Sequence, residues 1–168
     1  MSVFGTMPTP RRISYEYATD PDTVAKLLHD PDFLRRRCEA AGEKNVDVQV
    51  EELPDGMRVV VARDKEVELP AFAKRMFNPQ NRIVEQTRWR RDGDQWVAEY
   101  QVSIGGIPGE VRGKSTLAPS SNGCHYESAF EVTARIPLVG GKLEGFVADK
   151  LEETFRSNAE RNAEQLSS

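Results

Sequence analysis

The chain has 168 residues, of which 38% are hydrophobic and 30% are charged, and its formal net charge is −4. This composition is typical of a soluble globular protein and excludes a disordered chain. The length fits a single domain, expected over 10–168, that buries a core without metal or disulfide support. No apolar run approaches the ~18 residues of a membrane span, and the acidic balance argues against nucleic-acid binding.

The first nine residues, 1–9, precede the first strand pattern and are expected to form a disordered tail. They lack the charged start and apolar core of a secretory signal peptide, so the cytoplasm is the expected location. Cys38 and Cys124 stand far apart in the sequence. We therefore expect two reduced thiols rather than a disulfide or a zinc motif, and no cofactor.

A strand pattern followed by two short helices opens the chain. Ile13, Tyr15 and Tyr17 alternate with polar residues and predict a first strand. Asp20-Pro21 and Asp30-Pro31 then repeat the same signal, an aspartate that can cap a helix and a proline in its first turn. We expect two short helices here.

The middle of the chain consists of strand patterns separated by turn sequences. Pro54-Asp55-Gly56 predicts a hairpin turn between Val46–Glu51 and Met57–Val61. A short helix or helical turn is expected over 70–77, ended before Asn78-Pro79. Further strands are predicted over 82–91, 95–104, 110–117 and 125–134. The sheet should therefore be antiparallel, with about seven strands.

One long amphipathic helix pattern ends the chain, from Lys142 to Leu166. Its apolar side chains recur at three- and four-residue spacing, which places them on one face: Leu143, Phe146, Val147, Leu151, Phe155, Ala159, Ala163 and Leu166. A long meandering sheet must twist and curl. We expect an α+β fold in which the helix covers the concave face and leaves a cavity between them.

Several of these segments resemble the helix-grip, START-like (SRPBCC) superfamily, which includes lipid-transfer, pollen-allergen-like and polyketide cyclase-like proteins. The resemblance lies in Asp20–Val24 after the first strand and in Ile136–Glu144 at the start of the last helix. Leu69–Phe72 and Trp89 are similar to a bacterial branch of that superfamily, classed as a domain of unknown function. The resemblance covers Pro10–Leu166 and implies the helix-grip fold, but it identifies no catalytic residue.

Common catalytic patterns are missing from the sequence. The chain has only two histidines, His29 and His125, and it has no Gly-x-Ser-x-Gly motif. Cys124 and His125 are neighbours on a predicted strand, so their side chains should point to opposite faces. His29 is expected at a helix end, partly positive beside the helix dipole. The Gly105–Gly109 segment resembles a hairpin loop over the cavity mouth rather than a phosphate loop, and no metal site is expected.

Strand alternation predicts which side chains face the helix. Period two carries polar groups such as Glu85 and Thr87 inward among apolar ones, and an apolar wall with a few polar groups is typical of a small-molecule site. The predicted cavity residues are Tyr15, Tyr17, Val59, Val61, Glu85, Thr87, Trp89, Tyr100, Ser115, Tyr126, Ser128, Phe130, Phe146, Val147 and Leu151. Phe155 and later helix residues are expected in the plain core.

The sequence leaves three alternative roles open for Glu85. Buried without a partner, it would have a raised pKa and exchange protons. It can instead pair with an arginine such as Arg63, or a bulge can turn it to solvent.

The function expected from these patterns is binding or carriage of a hydrophobic or aromatic small molecule, lipid-like or polyketide-like, by a monomer or weak homodimer. Access would require movement of the Gly105–Gly109 loop, the 69–78 segment or the start of the last helix. One alternative is a cyclase, dehydratase or hydrolase that uses Glu85 with Tyr100 or Tyr126. Another is a non-catalytic interaction module that pairs through a sheet edge or apolar patch.

Overall fold

The computed structural model describes residues 10–77 and 80–168, with seven strands and four helices along this part of the chain. Their order is β1 Arg11–Tyr17, α1 Pro21–Leu28, α2 Pro31–Ala40, β2 Lys44–Leu53, β3 Gly56–Glu66, α3 Ala71–Lys74, β4 Gln80–Asp92, β5 Gln95–Ile104, β6 Gly109–Ser120, β7 Gly123–Ala134 and α4 Gly140–Leu166. The predicted tail over 1–9 and the predicted helix stop at Asn78-Pro79 lie outside the described residues.

The strands form one sheet in the order β1-β7-β6-β5-β4-β3-β2, and each neighbouring pair is antiparallel. Strands β2 to β7 follow as a meander, whereas β1 crosses to the far edge and pairs with β7. The predicted α+β architecture, with two short helices after the first strand and one long helix at the end, is confirmed.

The two short helices begin as their aspartate-proline signals predict. The Asp20 carboxylate accepts a hydrogen bond from the Thr23 backbone N–H over 2.8 Å. Asp30 does the same for the Asp32 backbone N–H over 3.0 Å. Pro21 and Pro31 occupy the first turn, where a missing N–H costs nothing. Helix α1 packs against β5, β6 and β7, and α2 packs against β2.

Most strands extend beyond their predicted bounds. The hairpin at Pro54-Asp55-Gly56 is confirmed, but β3 continues to Glu66 rather than ending at Val61. Four of the five residues added after Val61, Arg63–Glu66, are charged, so they lack the apolar alternation that indicates a strand. This extension carries Arg63 onto the inner face, two residues after Val61.

Helix α4 lies towards one side of the sheet rather than over its centre. Its close backbone contacts are with β7, β1 and α1. The Glu144 side chain accepts a hydrogen bond from the Ala134 backbone N–H over 2.8 Å and so ties the helix start to β7. Because the sheet curls, β3, β4 and β5 face α4 from a greater distance. That gap contains cavities between the helix and the sheet.

Candidate functional site

An aromatic cavity of about 90 Å³ lies between β3–β5 and the C-terminal half of α4. Its wall combines aromatic rings and aliphatic groups with a few polar side chains. Of the predicted residues, the structure brings together on this wall Tyr17, Val59, Val61, Glu85, Thr87, Trp89, Tyr100, Ser115 and Tyr126.

Three other predicted residues do not line the aromatic cavity. Tyr15 is half-buried and packs against Tyr17, with ring centroids 4.9 Å apart. Ser128 is fully buried and hydrogen-bonds the wall residues Tyr100 and Ser115. Phe130 packs edge-on against the Phe155 ring at 5.4 Å. Each of these residues therefore contacts a wall residue without lining the cavity itself.

Phe146, Val147 and Leu151 line a separate apolar cavity of about 260 Å³ at the N-terminal half of α4. Its other walls come from the 66–69 segment and from Ile104 and Ile107. The cavity therefore lies among parts of the three segments whose movement was expected to admit a ligand.

Phe155 and the later apolar residues of α4 pack in the core as expected, among them Ala163 and Leu166, but the same part of the helix also borders a cavity. Phe155, Asn158, Ala159 and Asn162 lie on the wall of the aromatic cavity. The reason is the position of α4: its close backbone contacts are with β1 and β7, so only side chains reach from it to β3–β5 and they leave space between them.

Helices α1 and α2 also contribute wall residues that the sequence patterns did not identify, namely Leu28, Leu34 and Arg37. Strand alternation cannot identify these residues, because they lie on helices that pack against the sheet. Asn162 could have been found from its spacing, since it follows Ala159 by three residues on the apolar stripe.

A chain of hydrogen bonds crosses this end of the molecule. Arg37 Nη1 donates to Asn162 Oδ1 over 3.1 Å, and Asn162 Nδ2 donates to the Tyr17 hydroxyl over 3.2 Å. Nearby, the hydroxyls of Tyr100 and Ser128 share a hydrogen bond of 2.7 Å. Burial raises the pKa of Tyr17 and of Tyr100 well above the usual range, so both phenols stay neutral.

A charged cavity of about 260 Å³ lies between α2, β3–β4 and α4 and adjoins the aromatic cavity. Glu85 borders both, and its Oε1 lies 3.4 Å from Arg63 Nη1. Of the three roles considered for Glu85, the structure has the pair with Arg63. Glu43 completes the cluster: its carboxylate lies 3.5 Å from Arg63 Nε and 3.6 Å from Lys65 Nζ.

His29 occupies the predicted position at the C-terminal end of α1, but its predicted partial charge is wrong. The imidazole packs against the rings of Trp89 and Trp96, with centroids 5.7 and 5.3 Å away. Burial lowers the pKa of His29 to about 4. The helix dipole therefore acts on a neutral ring, because desolvation outweighs it.

The two cysteines are free thiols, as predicted. Burial raises the pKa of Cys38 and of Cys124 to about 11 in each case. Cys124 is fully buried, whereas the neighbouring His125 points outward and contacts Glu16 over 2.6 Å, so the predicted opposite orientation is confirmed.

Two further properties concern the part of the chain that the structure describes. No three side chains among its histidines, cysteines, aspartates and glutamates come close enough together to hold a metal ion. Across residues 10–77 and 80–168, no helix has both the length and the apolarity to cross a bilayer.

A wider hollow of about 630 Å³ lies on the opposite, outer face of the sheet. Charges of both signs line it, and several already have partners: Arg58 lies 2.8 Å from Glu51, and Arg88 lies 2.9 Å from Asp55. This hollow is open to solvent and its charges are partly paired with each other, so it encloses a ligand less than the cavities beside α4 do. The cavities beside α4 are therefore the better candidate site.

Comparisons with solved structures show the same fold. The protein TTHA0849 from Thermus thermophilus superposes with a TM-score of 0.63 at 16% identity, over 93% of this chain and 95% of that one. Ara h 8.0201 gives a TM-score of 0.60 at 13% identity, over 95% and 99%. A START superfamily protein from Mycobacterium smegmatis gives 0.56 at 12% identity, over 96% and 99%.

No curated protein matches the chain. The family described as "Protein of unknown function (DUF2505)" matches residues 12–166, which is nearly the whole chain. The chain therefore belongs to the DUF2505 family and has the START-like helix-grip fold that its sequence resemblance implied.

Proposed function

We propose that the chain binds or carries a hydrophobic or aromatic small molecule, lipid-like or polyketide-like, in the space between the sheet and α4. The supporting observation is that this space runs along the helix. Val61, Glu85 and Asn158 border both the aromatic and the charged cavity. Lys65 and Thr154 border both the charged and the apolar cavity.

The sizes of these cavities indicate how a ligand would use them. The aromatic cavity of about 90 Å³ holds a ring or a few waters. The apolar cavity of about 260 Å³ approaches the ~300–1,000 Å³ of typical small-molecule sites. A larger ligand must therefore span adjoining cavities. Burial of apolar surface, worth about 25 cal/mol per Å², would provide the driving force.

A thermal-shift screen against lipid and aromatic libraries tests the proposal. We expect some members to raise the melting temperature, because a ligand that binds only the folded state stabilises it. Ala159→Leu adds bulk on the wall of the aromatic cavity and should reduce the shift. Ala40→Leu, at an exposed position near the end of α2, is the matched control and should leave it unchanged. No shift with any compound would contradict the proposal.

The enzyme alternative has less support. Glu85, Tyr100 and Tyr126 do line one cavity. However, Glu85 is paired with Arg63, and the Tyr100 hydroxyl is bonded to Ser128. Burial raises the pKa of Tyr100, so this phenol stays protonated near neutral pH and cannot act as a base there.

The interaction-module alternative rests on the sheet edges and on exposed apolar side chains. Strands β1 and β2 form the two edges. Leu138 and Met76 are the large hydrophobic side chains exposed within the described residues. Neither feature indicates a particular partner. We also propose that the chain is a monomer or weak homodimer in the cytoplasm. Size-exclusion chromatography tests the oligomeric state, and cell fractionation tests the location.

A further inference from the structure

The charged cavity contains a buried arginine whose donors are incompletely used. Arg63 is only 6% exposed. Its Nη1 donates to the Val61 carbonyl and to Glu85, both at 3.4 Å, which is long for a hydrogen bond. Its Nε is buried and has no hydrogen-bond acceptor in the described structure; the nearest carboxylate oxygen, on Glu43, is 3.5 Å away without bonding geometry.

Other cations surround the same space. Arg37, Lys65 and Arg161 line the charged cavity with Arg63. Arg37 donates to the neutral side chain of Asn162 rather than to a carboxylate. The cavity carboxylates, by contrast, are mostly engaged: Glu43 and Glu85 with the cations of β3, and Glu153 with Lys150 over 3.7 Å.

We propose that this cavity receives the carboxylate of an amphipathic ligand whose apolar or aromatic body lies in the aromatic cavity. The inference rests on the proposed function and narrows its ligand to an organic acid. Arg37 borders both cavities, so a carboxylate beside it leaves the attached body next to the rings of Tyr17 and Tyr100. An arginine fork matches a carboxylate with two parallel hydrogen bonds.

The carboxylates beside the cations determine which ligand charge the cavity favours. A dianionic phosphate would be repelled by Glu43 and Glu85, whereas a monoanion is offset by the surplus of cations. A ligand cation would face Arg37, Arg63 and Arg161, while Glu43 and Glu85 already have partners. A neutral head group would leave the Arg63 Nε without a charged acceptor.

The test uses two series of compounds, octyl and 3-phenylpropyl, each as the carboxylate, the alcohol and the ammonium. Affinities are measured at pH 7.5 by calorimetry with the full chain. A charge-assisted hydrogen bond predicts that the carboxylate binds at least about tenfold more tightly than the alcohol. The ammonium should bind most weakly.

Variants of the cavity cations test whether the carboxylate preference arises in the charged cavity. Arg63→Gln should abolish the preference for the carboxylate, but it also leaves Glu85 unpaired and Glu43 with Lys65 alone, and it can unfold the chain. Arg161→Gln, on the wall of the charged cavity alone, should weaken carboxylate binding about three- to tenfold without changing alcohol binding. Arg37→Gln should weaken carboxylate binding more than alcohol binding, because Arg37 also lines the aromatic cavity. The matched controls are the exposed neighbours on the same helices, Arg36→Gln and Arg156→Gln, which should change neither.

Equal binding of carboxylate and alcohol in both series, or tightest binding of the ammonium, would overturn this inference while leaving the proposed function intact. Failure of every compound to bind would also overturn it. The library screen described above decides the proposed function separately, because it includes ligands without an acid group.

Discussion

Asn162 Nδ2 donates a hydrogen bond to the Tyr17 hydroxyl over 3.2 Å and thereby joins the last helix to the first strand. Both residues are buried, at 4% and 2% exposure. Asn162 also accepts from Arg37 of α2, so one amide connects three elements at the end of the aromatic cavity. A buried amide with both ends engaged fixes how α4 lies beside the sheet.

Removal of this hydrogen bond should destabilise the protein. We expect Tyr17→Phe and Asn162→Leu each to lower the free energy of unfolding by about 1–3 kcal/mol, because each leaves a buried polar partner unsatisfied. The double variant should lose less than the sum. Urea denaturation measures all three. Tyr15→Phe is the control: its hydroxyl has no hydrogen bond within the described residues, and a change within about 0.5 kcal/mol is expected. Additive losses would show that Tyr17 and Asn162 are not energetically coupled.

The buried His29 predicts a pH dependence of stability. Its pKa is about 4 in the folded chain and 6.5 as the reference value for an unfolded chain. Between these values the unfolded chain binds the proton and the folded chain does not. Stability present above pH 6.5 should therefore decline as the pH falls towards 4, by about 1–2 kcal/mol once partial exposure is allowed for.

Denaturation at several pH values measures this decline. His29→Gln should flatten the curve between pH 6.5 and 4, whereas His125→Gln, which alters the exposed histidine, should keep the decline. The same decline in both variants would mean that other groups cause it.

Gly113 lies directly beneath a cavity side chain. A Cβ at this position would overlap the ring of Tyr100. Gly113→Ala should therefore displace that ring, weaken its bond to Ser128 and destabilise the fold by about 1–3 kcal/mol. Gly145→Ala is the matched control in α4, where nothing lies within 4 Å, and it should stabilise by up to about 1 kcal/mol. Thermal unfolding measures both changes in stability. Equal effects of the two substitutions would contradict the close packing of Gly113 against Tyr100.

The buried thiols should react slowly. With the pKa of Cys38 and of Cys124 near 11, only ~0.1% of each is thiolate at pH 8. A thiol reagent should modify both much faster in urea than in buffer, and Cys124→Ala isolates the signal of Cys38. Rapid modification of Cys38 in buffer would indicate that the charged cavity opens readily.

The order of elements was predictable from local patterns, because caps, turns and alternation are local. Asp20-Pro21 and Pro54-Asp55-Gly56 each carry the reason for the structure that they form. The extent of β3 was not predictable in this way, since Arg63 is charged and yet faces inward. Period two from Val59 and Val61 contains that information, but only for a strand known to continue.

The candidate site was predictable on the sheet side and less so on the helix side. Alternation assigned Trp89 and Tyr100 to the inner face, where both line the aromatic cavity. Helical periodicity identified the buried stripe of α4, but not which of its residues also border a cavity. Phe155 was therefore assigned to core. That distinction depends on where α4 rests, against β1 and β7, which no pattern within α4 contains.

Native mass spectrometry of the protein purified from its own host tests most directly whether the space beside α4 holds a ligand. We expect a one-to-one complex with a small organic molecule that is lost on denaturation and is depleted in Ala159→Leu, which narrows the aromatic cavity. Only the bare chain mass, or an adduct retained equally by Ala159→Leu and the wild-type chain, would contradict binding at this site.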